Sequence, residues 1–166
     1  MRLLAISDLH VSSPANMQAL AEAPAFPDDW LIVAGDVAES MERLRDGFGL
    51  LSARFAKIIW VPGNHELWTV PGPRGRGAEK YAAVVELART FGIVTPEDPY
   101  PVWPGAGEPC VIAPLFLLYD YSFRPDDVPL ESVVKWAREE QAVCADEMLL
   151  DASRSEEHTS ELQSLT

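Results

Sequence analysis

Three short apolar runs, each ending in polar residues of metal-ligand type, constrain this chain most. "RLLAIS" (Arg2 to Ser7) leads into "SDLH", "WLIVAG" (Trp30 to Gly35) into "GDVAE", and "KIIWVPG" (Lys57 to Gly63) into "GNHE". Continuous apolar runs of this length read as buried parallel strands. Between them lie helix-type segments. "NMQALAEA" reads as a short helix entered near Pro14. Met41, Leu44, Phe48, Leu51 and Phe55 fall at spacings of three and four, a helical face. A loop rich in Pro and Gly, "TVPGPRGRGAEK", precedes a helix through "YAAVVELARTFG" that Gly92 is placed to end. Strand–helix–strand alternation predicts an α/β fold whose parallel sheet is covered on both faces.

In such sheets ligands gather at the carboxyl ends of the strands. Asp8, Asp36 and Asn64 each stand 28 residues from the next, about one βα unit per step. Asp8 and His10, two apart in extended chain, point the same way and can chelate one ion. Asp36 can bridge two ions with its two oxygens. Asn64 offers a neutral amide oxygen. His65 is better placed for substrate than for metal. Mixed oxygen and nitrogen ligands suit Mn, Fe or Zn.

Taken together, "DLH" at Asp8 to His10, "GD" at Gly35 and Asp36, and "GNHE" at Gly63 to Glu66 resemble the calcineurin-like metallophosphoesterases. The resemblance implies a four-layer α/β/β/α sandwich, of which this chain supplies the N-terminal part, truncated. It implies two divalent metal ions, Asp8 and His10 on the first, Asp36 bridging, and Asn64 on the second. It also implies phosphate mono- or diester hydrolysis by a two-metal-activated hydroxide, with His65 stabilising phosphoryl charge or protonating the leaving oxygen. Glu66 reads either as a partner that orients a ligand or as an acid of the next turn. Arg74 and Arg76, in the loop after "GNHE", are candidate arms for a substrate phosphate. Trp68 is a candidate pocket wall, and Tyr119, Asp120 and Tyr121 a candidate rim.

The family's later lone His and G-H-x-H block are missing here. Between His65 and His158 there is no histidine. The second metal site is therefore expected to be incomplete in this chain. A non-catalytic metal- or phosphate-binding scaffold is the alternative reading. No G-x-G-x-x-G follows the first strand, which disfavours a nucleotide-binding oxidoreductase.

His158 lies in "RSEEHTSELQS", Arg154 to Ser164, which corresponds to the translation of a sequencing-library adapter. Residues 154–166 are expected to be a non-native tail and 1–153 a partial metallophosphoesterase domain. His158 is not counted as a ligand.

"CVIAPLFLL" reads as a strand with Pro114 at a bulge or edge. "ESVVKWAREEQAVCADEMLL" reads as one helix with Val133, Ala137, Cys144 and Met148 on its inner side. Cys110 and Cys144 read as reduced, buried thiols. A net charge of −13 opposes nonspecific nucleic-acid binding. The N-terminal apolar run is too short for a signal peptide and no stretch suits a membrane span, so a cytoplasmic protein is expected. Oligomeric state and the particular substrate are not encoded in these patterns.

Overall fold

The computed structural model describes residues 1–69, 75–105, 107–117, 120–142 and 145–150. Strands β1 (Leu3–Ile6), β2 (Phe26–Ala34) and β3 (Phe55–Val61) form a parallel sheet in that order. Leu4 pairs with Leu31 and Leu31 with Ile58; Ile6 pairs with Val33 and Val33 with Trp60. These partners share one face of the sheet, because register partners project to the same side. After the fourth helix the chain returns beside β3. There the Trp60 N–H donates to the Val94 carbonyl (2.8 Å), and the Val94 N–H to that of Ile58 (3.0 Å).

Helices α1 (Pro14–Glu22), α2 (Met41–Ser52) and α4 (Gly77–Thr90) all join the core on that face. Leu20, Leu44, Phe48, Leu51, Val84, Val85 and Ala88 meet Leu31, Val33, Ile58 and Trp60 there. Pro14 stands at the start of α1, where its missing N–H costs nothing. The Ser40 hydroxyl caps α2 by accepting from the Arg43 N–H (3.2 Å). Gly92, at φ +70°, lets the chain leave α4. The three long helices thus line one face rather than both. The other face is carried by Trp30 and Ile59, both buried, and by partly buried Ile32.

The second half departs from the pattern. "CVIAPLFLL" yields only β5 (Cys110–Val111), paired antiparallel with β4 (Val102–Trp103). Pro114 lacks the N–H a longer strand needs. Cys110 is a free thiol as expected, but exposed rather than buried. The expected long helix is broken. A 3₁₀ turn at Leu130–Ser132 runs into α5 (Val133–Glu139), and Gln141 at φ +58° ends it before the four-residue α6 (Asp146–Leu149). Val133 is buried as expected, whereas Met148 is 71% exposed. The inner side is covered at Val133 but not at Met148, so periodicity alone does not hold the helix together. Leu115, Leu117, Phe123 and Leu130 are likewise exposed. Cys144, Tyr119, Arg74 and the 154–166 tail lie outside the described residues. Among the described residues no helix is long and apolar enough to cross a membrane.

Asp29 ties the chain start to β2. Its carboxylate accepts from the Arg2 backbone N–H (2.6 Å), Nε (2.8 Å) and Nη2 (2.6 Å). The Arg2 side-chain and backbone bonds hold its carboxyl below the ordinary 3.8. This stabilisation is present above about pH 4 and is lost as pH falls through the lowered value. Asp29→Asn is therefore expected to lower the urea midpoint at pH 7 and to narrow its difference from wild type near pH 3. An equal shift at both pH values would contradict the assignment.

Candidate metal centre

The carboxyl ends of β1, β2 and β3 open into three loops held side by side. The Asp8 N–H donates to the Gly35 carbonyl (3.2 Å), His10 to Asp36 (2.9 Å) and Val11 to Val37 (2.9 Å). The Asn16 amide donates to the Leu9 (3.0 Å) and His10 (3.3 Å) carbonyls. This bracing holds an unusual backbone. Asp8 (φ +56°), His10 (φ +41°) and Asp36 (φ +56°) are all left-handed, a region non-glycine residues enter at a cost. The expectation of extended chain from Asp8 to His10 is thus corrected. The chain turns out of the strand plane after Ile6, yet the two side chains still meet, with His10 Nε2 3.7 Å from Asp8 Oδ1.

The two glycines differ in their reasons. Gly35 has φ +80°, and a Cβ on it would fall 2.4 Å from the Gly63 nitrogen. Gly63 has an ordinary φ of −93°. Its bare Cα is needed because a Cβ would lie 2.2 Å from Asp36 Oδ1. The strand ends are packed backbone to carboxylate.

Donor atoms of His10, Asp36 and His65 all lie within 4.8 Å of one another. Ligand atoms on one cation at roughly 2.0–2.2 Å stand somewhat closer than that, so a small contraction suffices. The donor set therefore fits a divalent cation. Asp36 also accepts from the His65 N–H through Oδ1 (3.1 Å). Asp8 stands at the rim, its side chain 65% exposed.

Asn64 opens the four-residue α3 (Asn64–Leu67). Its Nδ2 donates to both carboxylate oxygens of Asp146 (2.8 and 3.0 Å). His65 is fixed on three sides. Its Nδ1 bonds Glu39 Oε1 (2.8 Å), the Trp68 ring lies 3.6 Å away, and the His10 ring meets it edge-on at 4.5 Å. Glu39 also accepts from the Ser12 hydroxyl. Burial pushes the Glu39 carboxyl up, but the bonds from Ser12 and His65 outweigh it and hold it below the usual range. At neutral pH Glu39 is then a carboxylate that only accepts, so His65 Nδ1–H is the donor in this bond and Nε2 lies outside it.

Glu66 is fully buried and faces away from solvent. It accepts from the backbone N–H of Val37 (2.6 Å), Gly63 (2.8 Å) and Asp36 (3.0 Å). Burial pushes its carboxyl up, opposed by these donors. Glu66 lies in the first turn of α3, and its side chain also binds the β2 and β3 loops together. Lys80 on α4 performs a related task. It is buried, and its Nζ donates to the Glu39 carbonyl (2.9 Å) and to that of Trp68. Burial pulls its ammonium down, opposed by Glu66 and Glu39.

Arg76 stands exposed at the N-cap of α4, its carbonyl accepting from the Glu79 N–H (3.1 Å). Tyr121 reaches Glu147 through its hydroxyl (2.6 Å). Glu39, Ser12, Lys80 and Asp146 carried no notice in the sequence. Glu39 alone had a signal, an acid three residues after Asp36 on the same loop.

The profile of the calcineurin-like phosphoesterases matches residues 1–157. A curated relative, the [acyl-carrier-protein] phosphodiesterase PptH of Mycobacterium tuberculosis, is 49% identical over 153 residues, covering 89% of this chain and 47% of its own length. The crystal structure of phosphopantetheinyl hydrolase (PptH) from the same organism superposes with a TM-score of 0.83 at 46% identity, over 90% of this chain and 55% of that one. The chain thus spans about half the length of the relatives it matches. The motif loops, the parallel sheet beneath them and these matches agree: the chain belongs to the calcineurin-like phosphoesterase family.

Proposed function

We propose that the protein carrying this chain is a metal-dependent phosphodiesterase, and that the His10–Asp36–His65 cluster at the strand ends is its centre. That convergence is the observation that carries the reading. His10 and Asp36, with Asp8 and Asn64 beside them, would hold two divalent ions, with Mn, Fe or Zn suited to the donors. Bound cations supply Lewis acidity toward phosphoryl oxygens and lower the pKa of water. Distance alone would also allow His65 as a third ligand. Its bond to Glu39 supports proton handling instead: with Nδ1–H held on the carboxylate, an Nε2 that has first taken a proton from solvent would pass it to the leaving oxygen or, while protonated, steady phosphoryl charge. The Trp68 ring over His65 excludes water from one face of the imidazole. Arg74 and Arg76 remain proposed arms for a substrate phosphate. Given what PptH is named for, the proposed substrate is a phosphopantetheinyl-type phosphodiester on a carrier protein. The acidic surface supports a metal-mediated rather than a basic-patch grip on such an anion. Residues 1–153 are proposed as the native, partial domain.

The test is hydrolysis of bis(p-nitrophenyl) phosphate and of a phosphopantetheinylated carrier by the full-length gene product with Mn or Zn. Turnover that falls at least a hundredfold in His65→Ala is expected. The 166-residue chain alone is expected to turn over weakly or not at all. Cation binding without turnover in the full-length protein would favour the scaffold instead.

A further inference from the structure

Asp146 lies 82 residues beyond Asn64, on α6, and nothing in the sequence motifs involves it. It is a charged side chain only 6% exposed. Burying a carboxylate is costly unless donors surround it. Among its donors are the motif residue Asn64, whose Nδ2 reaches both oxygens (2.8 and 3.0 Å), and Trp68, whose Nε1 reaches Oδ1. The turn is docked independently of these side chains, because the Thr69 N–H donates to the Leu149 carbonyl (2.7 Å).

We propose that Asp146 is a positioning residue of the metal centre: its carboxylate decides which end of the Asn64 amide is presented to a cation. The inference rests on the metal-centre reading above. An amide side chain has a donor end and an acceptor end, and only the oxygen can ligate a cation. A carboxylate only accepts, so it holds Nδ2 and turns Oδ1 away from itself. Without it the amide is free to flip and offer N–H groups to a positive ion. The same carboxylate holds the Trp68 indole whose ring lies 3.6 Å from His65. Asp146 thus acts through both residues without itself belonging to the His10–Asp36–His65 cluster.

The test is a double-mutant cycle on the 166-residue chain, read by Mn²⁺ affinity. Asp146→Ala and Asn64→Ala are each expected to weaken binding by roughly 10- to 100-fold, as loss of a ligand's orienting partner does. Asp146→Ala added to Asn64→Ala is expected to cost nothing further, because the partner it acts through is gone. Full additivity, or unchanged affinity in a folded Asp146→Ala chain, would overturn the proposal. If Asp146→Ala fails to fold, the isosteric Asp146→Asn takes its place in the cycle. A second measurement needs no metal. The Asn64 side-chain amide protons should exchange slowly in the wild-type chain and rapidly in Asp146→Asn. Rapid exchange in both would overturn the proposal. Wild-type protein that binds no Mn²⁺ yet shows protected amide protons would sink the metal-centre reading while leaving the hold of Asp146 on Asn64 standing.

Discussion

Glu66→Ala is expected to destabilise the chain by about 3–5 kcal/mol, because each buried donor left without a partner costs roughly 1–3 kcal/mol. Three backbone N–H groups, on Asp36, Val37 and Gly63, end on this one carboxylate. Its side chain is fully buried, so water cannot replace it. Glu66→Gln separates the bonding from the packing. Glutamine fills the same space, but only one of its terminal atoms accepts. With its oxygen toward Asp36 and Gly63, its NH₂ would face the Val37 N–H, donor against donor. A loss of about 1–3 kcal/mol is expected for that change, smaller than for alanine. Urea unfolding at neutral pH measures both. Glu66→Ala within about 0.5 kcal/mol of wild type, the range of ordinary surface changes, would show that the loops are held by something else.

Gly63→Ala is expected to disable the centre while removing no ligand. The new methyl would sit 2.2 Å from Asp36 Oδ1 and 2.8 Å from the Asp36 nitrogen. Neither position is tolerable, and the backbone nitrogen is tied to Glu66 (3.0 Å). The carboxylate must therefore swing away or the β2 and β3 loops must part. Overpacking of this kind costs about 1–3 kcal/mol of stability. Mn²⁺ affinity is expected to fall at least tenfold, since the displaced group is the proposed bridge. Gly107→Ala is the control, because a Cβ there meets nothing within 4 Å. Equal Mn²⁺ affinity in Gly63→Ala and Gly107→Ala would mean that Asp36 does not need its observed place.

Helices α1, α2 and α4 were legible because each turns apolar residues into one shared core, and strands β1 to β3 because each is a short continuous apolar run. The ligand-type residues were legible because local chain order puts them at consecutive strand ends. The left-handed turns at Asp8, His10 and Asp36 were not, since nothing about Asp or His demands positive φ; the loop-to-loop hydrogen bonds impose it. Asp146 was invisible for a different reason. Its role depends on the break at Gln141, and the periodicity of Glu131 to Leu150 argues for an unbroken helix. Lys80 was hidden too, because a lysine on a helix is normally solvated, and only the approach of the Glu39 and Trp68 carbonyls gives its ammonium a place to bury. The apolar side chains left exposed beyond residue 100 mark where local pattern and packing part company.

The central claim is that the three strand ends form a divalent-cation centre around Asp36. The most direct measurement is a Mn²⁺ titration followed by electron paramagnetic resonance of the free ion, on wild-type chain and on Asp36→Asn, with circular dichroism confirming that both are folded. The account predicts saturable binding by wild type and at least a tenfold loss in Asp36→Asn. Equal binding by the two folded proteins would contradict it.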